Sequence, residues 1–157
     1  MLNKPLGVVC ATRDEEHPTV LDLVGNDAEL HIAGRLDRFS TGLVLLTNDS
    51  GFSEGLTRPE EKVGKRYVVE VDGVVSDEVV SGLEAGMWFA KERVWTMPAV
   101  VEKLGEREVR ITIFEGKHHQ LKRMFARFGL RVVRLHREAV GEFELGEELG
   151  PGEYFEF

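Results

Sequence analysis

Short apolar runs and two-residue alternations outnumber helical stripes along this chain, so strands dominate the expected fold. Residues 2–11 read as a strand interrupted by the turn signal Pro5-Leu6-Gly7. His17, Pro18 and Thr19 open a short helix over residues 20–24, with Pro18 near its first turn. Residues 30–33 and 43–47 are strands on either side of a polar turn centred on Asp37, and Asn48 to Gly51 closes the second. Residues 52–57 form a short helix stopped by Pro59, and residues 66–72 alternate as a half-buried strand.

Stronger punctuation follows. Residues 76–86 carry a serine cap, early acids, an apolar stripe and a terminal glycine, which together specify a helix. Residues 94–104 and 108–114 are two strands separated by a turn at Gly105, giving a hairpin. From 118 to 128, Leu121, Met124, Phe125 and Phe128 fall on one helical face, and Gly129 supplies a left-handed stop. Residues 131–136 form another strand, with edge strands at Phe143 and over 154–157. Irregular helix insertion and hairpin-length connections predict an α+β fold with a mixed, mostly antiparallel sheet.

At 157 residues the chain suits one well-buried domain, and 42% apolar content is ordinary for a globular protein. No apolar run approaches the roughly 20 residues of a membrane span, and the N-terminus lacks a signal-peptide pattern. Cys10 is the single cysteine, which excludes an intrachain disulfide and points to a reducing, cytoplasmic address. The net charge of −8 argues against a nucleic-acid partner, but its distribution argues for one. Lys117, Lys122, Arg123, Arg127, Arg131, Arg134 and Arg137 fall in a stretch without a single acid. Screening over about 8 Å lets such a local surface hold phosphates while the acids sit elsewhere.

Asp37 draws attention because it stands on a turn between two apolar strands, next to Arg35. An acid there can simply solvate the turn; on a rigid scaffold it can equally do chemistry. The predicted helix from His118 carries Lys122 and Arg123 beside its apolar face, able to lean toward a strand-end carboxylate. A metal-dependent hydrolase using His31, Asp37, His118 or His119 is a competitor, but those histidines lack the i, i+4 spacing of a helical metal pair.

Four segments in order resemble the pseudouridine synthases, specifically the RsuA-type branch that modifies ribosomal RNA. They are MLNKPLGVV at residues 1–9, AGRLDRFSTGLVLLTND at 33–49, KRYVV at 65–69, and EGKHHQLKRMF at 115–125, the last continuing through VRLHRE at 133–138 and LGPGEY at 149–154. The chain departs from the family at Phe39 and Ser40, where members commonly have Asp-Thr. His118-His119-Gln120 resembles the small-subunit, 16S rRNA branch more than the large-subunit one. Relatives usually carry an S4-type RNA-binding domain ahead of the catalytic one. Here residues 1–157 are expected to be a single catalytic domain with that S4-type domain absent.

The resemblance implies a bent pseudouridine synthase sheet and isomerisation of a flipped-out uridine in ribosomal RNA or an assembly intermediate. It implies no metal and no cofactor. Asp37 would attack either the uracil ring or the ribose C1′, Lys122 would pair with it (Arg123 being second choice), and Tyr67 would stack on the base. Leu135 would pack against the flipped base, and Arg35 would fill the vacated stack. Lys117, His119, Gln120 and Arg123 would contact RNA. A monomer is the default. The alternatives are a catalytically silent ribosome assembly factor and a synthase acting on 23S rRNA.

Overall fold

In a computed structural model, which describes residues 1–25 and 29–157, the elements run in chain order as follows. They are β1 (Leu2–Lys4), α1 (Val20–Val24), β2 (His31–Ala33), β3 (Thr41–Thr47), α2 (Ser50–Thr57) and a 3-10 turn at Pro59–Glu61. Next come β4 (Lys65–Val71), α3 (Asp77–Ala85), β5 (Trp88–Phe89), β6 (Val94–Trp95), β7 (Val100–Gly105) and β8 (Glu108–Ile113). Last are α4 (Gln120–Ala126), β9 (Val132–Val140) and β10 (Phe143–Glu144). The chain divides into two compact units, Met1–Val63 with His136–Phe157, and Gly64–Leu135.

In the first unit, β3 is the organising strand. It pairs antiparallel with β1 and with β2, and parallel with the second half of β9 at Thr41–His136 and Gly42–Arg137. β10 folds back antiparallel on β9. One core cluster gathers Ala33, Leu43, Leu45 and Val140; another gathers Leu2, Val8 and Val20. The parallel contact is unusually close. A Cβ on Gly42, whose φ is +111°, would lie 2.2 Å from the Arg137 carbonyl oxygen, so only glycine lets the two backbones meet. Thr41 Oγ1 and His136 Nδ1, 2.8 Å apart, tie the same crossing.

In the second unit, β8 lies between β4 and β7, antiparallel to both. Tyr67, Val69 and Val71 are the buried alternation of β4, and Val109, Ile111 and Ile113 that of β8. Ser76 caps α3, its Oγ accepting from Val79 N, as its sequence signals predict. A Cβ on Gly82 of α3 would strike the Phe128 ring at 2.4 Å, so glycine opens the seat for that side chain.

Antiparallel pairs and the parallel crossing of β3 with β9, flanked by short helices, make the α+β mixed sheet expected from the pattern. Several boundaries differ for physical reasons. The expected strand over 94–104 is two strands, because residues 96–99 lie outside both ladders. Val94–Trp95 pairs backward with β5, while Val100–Gly105 pairs with β8. Residues 8–11 do not continue β1; Val9 makes one bridge to Thr19 beyond the turn. Thr19, not the residues before it, caps α1 through a capping box with Asp22. The helix at 118–128 contracts to Gln120–Ala126, since His119 adopts a left-handed conformation at its start. Strand β9 runs on to Val140 through charged residues that masked it, and in the tail at 154–157 Tyr154 bridges to Leu2 while Phe155 exchanges backbone hydrogen bonds with Met1.

Replacing Gly42 by alanine is expected to destabilise the protein by about 3 kcal/mol, through steric overlap and an unfavourable φ together. A lowered urea midpoint checks it; an unchanged midpoint would show that β3 and β9 can separate freely.

Candidate active site

The Asp37 turn is built from alternating anchors. Leu36 and Ser40 are buried, while Arg35, Asp37, Arg38 and Phe39 point to solvent. Ser40 N donates to the Asp37 carbonyl at 3.0 Å, closing the turn. Gly7 N, from the Pro5-Leu6-Gly7 turn, donates to the Arg38 carbonyl at 2.9 Å. Leu36 N donates to the Cys10 sulfur at 3.3 Å. The exposed carboxylate is therefore carried by a backbone fastened on both sides of it.

Two buried cations, Lys4 and Arg137, complete the fastening. Lys4 is fully buried, and its ammonium donates to the carbonyls of Pro5 at 3.0 Å and Arg38 at 3.2 Å. Burial lowers its pKa, against the opposing pull of Cys10 and Asp37. Arg137 is 1% exposed and donates through Nε to the Leu43 carbonyl and through a terminal nitrogen to the Gly34 carbonyl, both at 2.9 Å. It thus grips the entry to the turn and the strand that leaves it. Arg137 belongs to the basic stretch expected to hold phosphates, but its burial removes it from any RNA surface. Its inward place was signalled by alternation with Leu135 and Ala139.

In the second unit, Tyr67 is buried on β4, opposite Ile111, and Leu135 is buried on β9. Before α4, the Glu115 carboxylate accepts from Met97 N at 2.6 Å, from Gln120 Nε2 at 2.9 Å and from the Lys117 ammonium. Gln120 Oε1 accepts from Lys117 N at 3.1 Å. Gln120, expected to contact RNA, is 3% exposed, and these hydrogen bonds of its amide fix the start of α4. His118 and His119 are exposed, their rings stacked 3.9 Å apart. Lys122 is half-buried on α4.

Arg123 faces a different partner from the one expected. Its two terminal nitrogens meet the Glu92 carboxylate at 2.7 and 2.8 Å, and its guanidinium lies 3.9 Å from the centre of the Phe89 ring. That hydrogen-bonded pairing holds the Glu92 carboxyl down at about 2. Arg127 donates to the Trp88 carbonyl, and Arg131 pairs loosely with Asp72. The acid-free sequence from 117 to 137 is thus partly neutralised by Glu92, Glu115 and Asp72, brought in from elsewhere in the same unit. Among the described residues, no group of three or more His, Cys, Asp or Glu side chains is arranged to hold a metal. His31 instead lies 2.8 Å from Ser53 Oγ. Among the described residues, no helix is long and apolar enough to cross a membrane.

Residues 1–127 match the model of a family described as RNA pseudouridylate synthase. The ribosomal small subunit pseudouridine synthase A of Pseudomonas aeruginosa is 48% identical over 154 residues, covering 97% of this chain and 67% of its own length. Its namesake in Salmonella typhimurium is 46% identical over 156 residues, covering 98% and 68%. A solved structure described as a pseudouridylate synthase has a TM-score of 0.91 at 40% identity, covering 97% of this chain and 66% of that one. The chain therefore spans about two thirds of the length of these relatives.

The Glu92–Arg123 pair makes an acid-range prediction. The carboxyl is depressed in the folded protein from an ordinary value of 4.5 to about 2. Its stabilising effect is fully present above about pH 4.5 and is lost as pH falls toward 2. Melting temperatures of the wild type and Glu92→Gln should differ near neutrality and converge at the acid end. A gap independent of pH would mean the pair contributes through packing alone.

Proposed function

Because the chain belongs to the RNA pseudouridylate synthase family, we propose that it isomerises a uridine of small-subunit ribosomal RNA to pseudouridine, with Asp37 as the attacking carboxylate. The reaction breaks the bond between ribose C1′ and uracil N1, turns the base and joins C1′ to C5. The C5 proton is lost and N1 gains one, so atoms balance without a cofactor. The observation that carries the reading is the exposed Asp37 on a turn held from beneath by Lys4, Cys10 and Arg137. A nucleophile must be placed to within a fraction of an ångström, and a loop free to wander could not do that.

Asp37 attacks the uracil ring or C1′; either leaves a covalent adduct that the same carboxylate releases. Lys122 balances its charge, Tyr67 stacks on the uracil, and Leu135 gives the base an apolar wall. Extruding a base from structured RNA costs a few kcal/mol. Arg35, exposed two residues before the nucleophile, fills the space the base leaves. His119, exposed before α4, meets the backbone, while Lys117, Gln120 and Arg123 set the geometry of that helix. The small subunit is favoured by the names of the two relatives and by the His118-His119-Gln120 sequence. Residues 1–157 serve as the catalytic domain, acting as a monomer in the cytoplasm on free rRNA or a partly assembled particle.

Purified protein should form pseudouridine in 16S rRNA or its assembly intermediate, and Asp37→Asn should reduce conversion to background with circular dichroism and melting unchanged. Mapping pseudouridine in reacted rRNA reads both activity and site. Undiminished conversion by Asp37→Asn would remove the proposed nucleophile. Product confined to 23S rRNA would move the substrate to the large subunit, and no product in any RNA would favour a silent assembly factor.

A further inference from the structure

The chain has two tryptophans, and both lie on one small ribbon, facing water. Trp88 of β5 stands directly opposite Trp95 of β6, and they are 41% and 67% exposed. Their rings meet edge to face with centroids 6.0 Å apart. Single exposed apolar residues need no explanation, but paired indoles left in solvent do. Alternation puts Phe89, 2% exposed, on the opposite face of the ribbon, where the Arg123 guanidinium covers its ring.

The ribbon is not free to fold its indoles away. Met87 N donates to Thr96 Oγ1 and Thr96 N to the Met87 carbonyl, both at 2.8 Å, closing its base. A Cβ on Gly86 would sit 2.3 Å from the Thr96 carbonyl oxygen, so the backbones flanking the two strands are in close contact. Glu92 in the connecting loop is gripped by Arg123, and Arg127 holds the Trp88 carbonyl. Consequently the loop's one acid is already matched, while its neighbours Lys91 and Arg93 are exposed cations.

Rigid exposed aromatic faces beside cations are the chemistry that binds unpaired nucleic-acid bases: the rings stack on the bases and the cations meet phosphates, with little sequence preference. We propose that the Trp88–Trp95 ribbon is a stacking platform for single-stranded nucleotides of the RNA substrate. This rests on the reading of the protein as an rRNA enzyme and adds to it a contact outside the residues that handle the reacting uridine.

The two indoles are the whole tryptophan emission of the protein, so the contact can be read directly. Trp88→Phe and Trp95→Phe each leave one reporter. Titration with oligouridylate, with binding followed independently by filter retention, should quench emission in step with saturation. Trp95→Ala should weaken retention about tenfold, Trp95→Phe should restore most of it, and melting should show both variants folded. Silent emission at saturating RNA, or wild-type affinity in Trp95→Ala, overturns the proposal. So does an emission change produced by vesicles of anionic phospholipid and not by RNA, which would assign the ribbon to a membrane surface. Pseudouridine assays of the same preparations separate the two readings. Turnover with silent tryptophans sinks this contact alone, whereas neither turnover nor RNA binding sinks both.

Discussion

The Asp37 turn depends on a problem of buried carbonyls. Where β2 hands over to β3, the backbone leaves the sheet, and the carbonyls of Gly34 and Arg38 lose strand partners. A carbonyl taken from water without a donor costs about 1–3 kcal/mol, so the fold supplies donors: Gly7 N for Arg38, and long cationic side chains for both. Lys4 reaches Arg38 from β1, and Arg137 reaches Gly34 from β9 while also holding Leu43. A lysine and an arginine in a sheet interior look misplaced when viewed one strand at a time. Together they turn an irregular segment into a fixed one, and an exposed carboxylate on it acquires a defined position.

That arrangement makes β9 central to the first unit. Its second half must come close enough for the Arg137 backbone to lie against Gly42, and its side chain must then turn back under the entry to the turn. The glycine, the parallel pairing and the buried guanidinium therefore belong to one constraint. Cys10 adds a weaker tie to the same loop through Leu36. Burial raises its thiol pKa despite the surrounding cations, so it serves there as a neutral, apolar anchor.

Charge in the second unit is organised by pairing more than by abundance. Arg123 with Glu92 ties the tryptophan ribbon to α4, and Glu115 with Lys117 and Gln120 fixes the start of that helix. Several cations of the stretch from 117 to 137 thus act as mechanical parts. Of the others, Arg134, His118 and His119 are exposed and Lys122 is half-buried. Beyond a Debye length of about 8 Å, the acids that give the chain its net charge of −8 scarcely affect these local charges.

Much of this protein is written in local signals. The cap at Ser76, the stop at Gly129, the alternation of β4 and β8 and the apolar strands around Asp37 are decided by neighbours within a few residues, and the sequence displays them. The α+β class and the candidacy of Asp37 follow from the same short-range pattern, strengthened by the family's motifs. What sequence alone left open is long-range. The strand expected over 94–104 breaks because partners for its halves come from different directions, and β9 extends because Arg137 finds carbonyls more than ninety residues away. An acid-free stretch becomes partly neutral because Glu92, Glu115 and Asp72 are folded against it. Hydrogen bonds and ion pairs form between whatever the chain brings near, so a polar residue's role is fixed by its partners, and only tertiary structure names them.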